Sequence, residues 1–217
     1  MKIINLGDNK TIFSHFISEI RDVNIQNDSM RFRRNLERIG EVFAYEISKE
    51  IDYIDQEVTT PLGISIENLM IEKPVLATIL RAGLPLHQGF LNYFDDSDSA
   101  FISAYRKHKK GGEFEIKIEY MSSPDLNDKT LILCDPMIAS GASMVMAMEA
   151  ILRKGKPKHI HVVGIIASSE GIQYLKENSP LKNCTLWIGA EDSEMTSQSY
   201  IVPGLGDAGD LAFGEKK

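Results

Sequence analysis

The amino-acid sequence predicts an α/β fold, a central parallel sheet flanked by helices. Three observations carry this reading. The apolar runs Val75–Leu80, Leu131–Cys134, His159–Ser168 and Cys184–Ala190 lack the polar–apolar alternation of half-exposed strands, so they read as strands buried on both faces. The segments between them carry apolar residues at helical spacing. Strand and helix then alternate along the chain, which implies right-handed crossovers and parallel pairing. At 217 residues, a single domain covering 1–217 can hold a large core.

The first helical pattern runs from Thr11 to Arg21, with Phe13, Phe16, Ile17 and Ile20 on one face. A second runs from Asp28 to Asp52, where Phe32, Leu36, Ile39, Phe43 and Ile47 form the stripe and Asp28 or Ser29 can cap. Arg31, Arg33, Arg34 and Arg38 occupy its other side and read as a solvated face. Pro61 and Gly63 predict a hairpin within Glu57–Met70. After Val75–Leu80 comes the turn Arg81-Ala82-Gly83, then a helix to Phe94. Ser99–Tyr105 is a further strand. Phe114, Ile116, Ile118 and Tyr120 alternate with charged residues, which predicts an exposed two-stranded arm and a basic flap over Arg106–Gly112.

Beyond Leu131–Cys134, Met144, Val145, Met148, Ile151 and Leu152 share a helical face, and Gly155 with Pro157 ends that helix. Ser169–Ser179 is a further helix. The tail from Tyr200 holds Pro203, Gly204, Gly206 and Gly209, so it cannot be regular structure. Its Ile201, Val202, Leu205, Leu211 and Phe213 predict a packed loop whose bare backbone serves as a recognition surface.

Hydrophobic residues at 43% and charged residues at 25% describe an ordinary globular protein. No apolar stretch is long enough for a signal peptide or a bilayer span, so no membrane partner is expected. Cys134 and Cys184 lie inside apolar runs, which predicts buried thiols and a reducing, cytoplasmic setting. His159 and His161 have no third ligand nearby and read as surface histidines rather than a metal pair. A net charge of −7 argues against nucleic acid as the main partner. An anionic ligand would then need local cations, for which Arg81, Arg106, Lys107, Lys109 and Lys110 are the candidates.

The stretch from Lys129 to Gly155 organises the chain. Its strand ends on Asp135 and turns through Pro136, Met137, Ile138, Ala139, Ser140, Gly141, Ala142 and Ser143 into a helix. The first N–H groups of a helix lack internal partners and favour negative charge, so a small hydroxyl-rich loop there can seat a phosphate. Asp135 at the strand end can accept hydrogen bonds from sugar hydroxyls. An ordinary strand–loop–helix junction capped by Ser fits the same spacing. Arg81, at the end of another strand, can form a bidentate pair with pyrophosphate oxygens or a structural salt bridge with a neighbouring acid.

The segment DPMIASGAS resembles the ribose-phosphate loop of the uracil phosphoribosyltransferases, DPMLATGGS in that family. RFRRNLERIG with Tyr45-Glu46, ILRAGLPLHQG from Ile79, Tyr105-Arg106 and YIVPGLGDAGDLAFGEK from Tyr200 resemble four further segments of the family, in the same order. The resemblance implies a type I phosphoribosyltransferase-like sheet with a β-arm and flap, and a hood from the N- and C-terminal segments. It implies transfer of phosphoribosyl from 5-phosphoribosyl 1-diphosphate (PRPP) to uracil, giving UMP and pyrophosphate in pyrimidine salvage. PRPP would be bound by Arg81, Arg106, Asp207 and the loop Asp135 to Ser143. Uracil would be read by the main chain of Ile201, Gly206 and Ala208, beside Asp207. Arg81, Arg106 and Asp135 would stabilise the transition state and leaving group, with no general base assigned. Mg²⁺ would be held by PRPP rather than by the protein. A GTP effector, as in some relatives, and a homodimer or larger homo-oligomer belong to the same expectation.

Two details follow from the comparison of motifs. Ala142 stands where the family has Gly, which predicts strain if that position requires positive φ. A strained or cis peptide is expected at Ala82–Gly83. A second reading of the same motifs is a catalytically silent, nucleotide-binding relative that acts as a regulator and takes RNA.

Overall fold

The structure, a computed structural model, describes residues 1–108, 114–181 and 183–216, with side chains described outside 104–117. Strand β7 (Thr130–Cys134) is buried at every position. Its side chains alternate between two cores, Leu131 and Leu133 entering one, Ile132 and Cys134 the other. On its edges it pairs in parallel with β4 (Val75–Leu80) and β9 (His159–Ser168). Beyond β9 lie β10 (Cys184–Asp192) and β1 (Lys2–Asn5), and beyond β4 lie β5 (Ser99–His108) and β6 (Phe114–Ser122). Among the described residues this is an eight-stranded sheet in the order β1-β10-β9-β7-β4-β5-β6, with β8 (Met137–Ile138) also on β9. The β5–β6 pair is antiparallel and the others are parallel.

Helices cover both faces because both faces of the inner strands are apolar. On one face lie α1 (Phe13–Arg21), α2 (Ser29–Ser48), α3 (Gly83–Leu91) and α6 (Ala208–Phe213), whose Phe13, Leu36, Phe43, Leu86, Phe90 and Ala212 join one core. On the other face lie α4 (Ala142–Ile151) and α5 (Ser169–Asn178), contributing Met144, Met148, Ile151, Ile172 and Leu175. Asp28 caps α2, its carboxylate accepting from the Met30 and Arg31 N–H groups. The hairpin β2 (Tyr53–Thr60) and β3 (Gly63–Met70) stands apart from the main sheet, as does the small pair β11 (Glu194–Met195) and β12 (Ile201–Val202).

Most expected elements are present with ends shifted by a few residues. The hairpin begins earlier than expected, because Tyr53 pairs with Met70 and carries the ladder to its root. Strand β1 is not legible in the sequence, being four residues long, and exists because β10 offers it an edge.

His161 corrects the expectation of surface histidines. It is buried, and its Nδ1 accepts the Trp187 indole N–H at 3.1 Å. That acceptor role leaves the ring neutral with its proton on Nε2. Burial pulls the His161 pKa down to about 3, with His159 and Lys2 adding to the fall. Unfolded His161 takes up a proton below its ordinary 6.5 and the folded form does so only near 3, so folding stability declines as pH falls between those values. The stability difference between wild type and His161→Phe is therefore expected to shrink by about 1.4 kcal/mol per pH unit in that window. Chemical denaturation at a series of pH values measures it, and a pH-independent difference contradicts the assignment.

Candidate active site

The chain leaves β4 towards β5 on one side and returns to place β7 on the other, so the connections leaving the paired ends of β4 and β7 part to α3 on one face and α4 on the other. Open α/β sheets bind ligands in the crevice such a switch creates. Arg81 follows β4 and Asp135 follows β7, so both predicted strand-end residues stand at this switch.

The loop after β7 is held by main-chain bonds to β9. The Asp135 N–H donates to the Val163 carbonyl at 3.0 Å, and the Pro136 carbonyl accepts from the Ile165 and Ile166 N–H groups at 3.0 Å each. Met137 and Ile138 then pair with Ile166 and Ala167 as β8. Ser168 Oγ donates to the Ala139 carbonyl at 2.5 Å and accepts the Gly171 N–H at 2.8 Å, tying the loop to the start of α5. Gly141 has φ +77° and opens α4. A Cβ there would lie 2.8 Å from the Gly171 carbonyl oxygen, so both backbone and neighbour call for glycine. The strain expected at Ala142 is absent, because positive φ falls on Gly141 and Ala142 is already the first helical residue.

One cleft of about 790 Å³ brings the two predicted half-sites together. One wall is the loop: Asp135, Met137, Ile138, Ala139, Ser140, Gly141 and Ser143 line it. The facing wall is the C-terminal segment, with Ile201, Gly206, Asp207 and Ala208. Pro136 is buried and Ala142 turns into α4, so neither lines the cleft. Asp207 is the N-cap of α6, its Oδ1 accepting the Asp210 N–H at 2.9 Å. Burial pushes the Asp135 carboxyl up to about 7; the Met137 N–H lowers it and the Asp207 carboxylate adds to the rise. A second acid thus faces Asp135 from 72 positions along the chain, where sequence neighbours Pro136 and Met137 supply none.

Arg81 lies beside the cleft. Its Nη2 donates to Asp210 Oδ1 at 3.0 Å, and both Nη atoms reach the Gly214 carbonyl at 3.3 Å, so the structural salt bridge foreseen for it is present. Its Nε is buried with no hydrogen-bond partner among the described residues. The cis peptide is Leu80–Arg81 rather than Ala82–Gly83. Ala82 has helical dihedrals of φ −60° and ψ −28° and leads straight into α3, two residues after the cis bond begins. Arg106 stands on β5 opposite Ile116, its side chain outside the described set. Lys107 is also on β5, whereas Lys109, Lys110, Gly111 and Gly112 of the flap lie outside the described residues.

Several lining residues were missed by sequence reasoning. Ser197, Gln198, Ser199 and Tyr200 form a tight turn between β11 and β12, closed by the Thr196 N–H donating to the Tyr200 carbonyl at 2.8 Å. Their hydroxyl-rich run just before the recognised tail was the available signal. Lys216 also lines the cleft and adds a cation.

Comparison with known proteins agrees with this geometry. The family model of uracil phosphoribosyltransferase matches residues 8–215. A protein named uracil phosphoribosyltransferase from Porphyromonas gingivalis is 56% identical over 216 residues, covering 100% of both chains. One of the same name from Sulfurisphaera tokodaii is 39% identical over 215 residues, covering 94% of this chain and 97% of its own. The solved structure of the AQ2163 protein from Aquifex aeolicus superposes with a TM-score of 0.86 at 28% identity, covering 98% of each chain. With the match running nearly end to end and the two motif-bearing walls meeting in one cleft, the chain belongs to the uracil phosphoribosyltransferase family.

Proposed function

We propose that the protein, as one domain over residues 1–217, transfers the phosphoribosyl group of PRPP to uracil, giving UMP and pyrophosphate. The observation that carries this reading is the single cleft lined by both the Asp135–Ser143 loop and the Ile201–Ala208 segment. In the reaction uracil N1 bonds to C1 of ribose, the C1–oxygen bond to pyrophosphate breaks, and the N1 proton leaves. Positive charge grows on the sugar and negative charge on pyrophosphate, so catalysis rests on alignment and on stabilising the leaving group.

In this reading the N-terminal turn of α4 and the hydroxyls of Ser140 and Ser143 hold the 5-phosphate. Asp135 accepts from the ribose hydroxyls, and Asp207 faces the same sugar. Uracil presents an acceptor–donor–acceptor edge, matched by one carbonyl and two N–H groups from the main chain of Ile201, Gly206 and Ala208. Cytosine reverses part of that pattern and leaves fixed backbone groups unpaired. Arg81 and Arg106 serve the pyrophosphate, Arg81 exchanging its Asp210 contact, which at about one-third exposure is worth about 0–1 kcal/mol. In this reading Mg²⁺ enters as part of the PRPP chelate.

The finer parts of the proposal concern partners. The exposed hairpin β2–β3 carries Leu62 at 99%, Ile64 at 67% and Ile66 at 59% exposure, which supports a homo-oligomer built on it. Both thiols are buried and free, which supports a reducing, cytoplasmic setting; no helix among the described residues is long and apolar enough to cross a membrane. GTP as an effector is tested by adding it to the assay below.

Purified protein with uracil, PRPP and Mg²⁺ is expected to form UMP, and cytosine to react about 10⁴-fold more slowly. Absence of UMP together with salt-sensitive RNA retention overturns this in favour of the regulator. Asp135→Ala is expected to lower turnover at least about 100-fold with the circular-dichroism spectrum retained. Since ionised Asp135 is the stronger, acceptor-only partner for ribose hydroxyls, kcat/KM for PRPP should rise with pH through about 7, the step disappearing in Asp135→Asn. In sedimentation velocity, Ile64→Glu with Ile66→Glu should reduce the mass of the assembly; an unchanged mass removes the hairpin from the interface.

A further inference from the structure

The base-recognition segment is short of its own restraints. Gly204 and Gly206 have φ +55° and +91°, conformations open to many alternatives in a glycine-rich loop. Reading uracil by fixed main-chain groups demands that those alternatives be suppressed. The residues that do so lie elsewhere in the chain and outside the cleft.

Asp192, the last residue of β10, is 7% exposed. Arg21, the last residue of α1, meets it in a bidentate pair, Nη1 to Oδ2 and Nη2 to Oδ1, both at 2.8 Å. The same Nη1 donates to the Gly204 carbonyl at 2.8 Å, and the same Oδ2 accepts the Gly204 N–H at 2.9 Å. One ion pair therefore grips both main-chain polar groups of Gly204. In the amide orientation that satisfies both of its side-chain atoms, Gln26 donates to the next carbonyl, Leu205, at 2.8 Å. A Cβ on Gly204 would run into the Ile201 carbonyl oxygen, so the chain folds tightly back on itself here.

We infer that Arg21 and Asp192 are positioning residues for base recognition. By pinning Gly204 they set the place of the main-chain groups at Ile201, three residues before it, and at Gly206 and Ala208, two and four after it. Neither side chain lines the cleft, so the pair acts through the loop and touches no reactant. Its effect falls chiefly on uracil and on the rejection of cytosine, since the Asp135–Ser143 wall has main-chain bonds of its own to β9. A charged pair suits this task better than an apolar contact, because a largely buried bidentate bridge with every oxygen engaged has one geometry and no slack. The inference rests on the assignment of uracil to the C-terminal segment made above.

The decisive variant replaces both charges, Arg21→Met with Asp192→Leu. Replacing both charges leaves no uncompensated ion, but the Gly204 N–H and carbonyl lose their partners, so the melting temperature should fall by several degrees with the fold retained. The uracil KM is expected to rise by about 10–100-fold and the PRPP KM, which meets this segment only through Asp207, to rise much less, with a fall in discrimination against cytosine. Hydrogen exchange at the Gly204, Gly206 and Ala208 amides should accelerate. Arg21→Lys, which keeps the charge but offers a single point rather than a fork, should recover part of the uracil affinity. Equal changes in both KM values, or an unchanged uracil KM in a folded variant, overturns the inference. If wild type forms no UMP, the functional assignment fails by itself. Amide exchange then decides, with acceleration in the double variant supporting the clamp and unchanged exchange refuting it.

Discussion

Strand β7 is hydrogen-bonded on both edges and buried on both faces, so it can carry polar chemistry only at its ends. That constraint governs the rest. The first residue past the strand is Asp135, the chain then clings to β9 through Pro136, Met137 and Ile138, and the first turn of α4 lands beside it. A parallel sheet gathers several such strand ends on one side. The switch between β4 and β7 opens the gap where a ligand fits. The cleft is thus a consequence of how parallel strands are connected.

Electrostatics in that gap run against the simplest picture of an anion site. The chain carries a net charge of −7, and two carboxylates, Asp135 and Asp207, face the cleft. The burial of Asp135, and then its repulsion with Asp207, push its carboxyl up to about 7. In the reading proposed above, a hydroxyl-rich sugar phosphate would resolve this conflict, its hydroxyls meeting the acids and its phosphate the α4 terminus. Lys216 in the cleft and Arg81 beside it supply local positive charge in a chain of net negative charge.

Several features were readable from residue order alone. His159–Ser168 was bounded in full by its apolar run, and Gly155 ended the α4 region by its backbone freedom. Asp28 announced the cap of α2. What escaped detection depended on contacts across the chain. His161 looked like a surface histidine because nothing near it in sequence revealed the Trp187 indole that needs its nitrogen. Arg33, read as part of a solvated face, donates to the carbonyl of Ala212 in α6. Arg21 and Asp192 carried no signal, since each ends an unremarkable element and their common partner, Gly204, belongs to the tail.

The division has a physical basis. Residue order by itself determined the alternation of strands and helices, the small hydroxyl-rich loop after β7 and the glycine-rich tail, because periodicity, capping and backbone freedom act over a few neighbouring residues. Tertiary structure alone decided that Asp207 would face Asp135, that Arg81 would rest on Asp210, and that an ion pair assembled from residues 171 apart would hold Gly204 by both of its peptide groups. Those outcomes depend on which strand edges meet and which helix faces pack, and these distances are set only when the whole core closes.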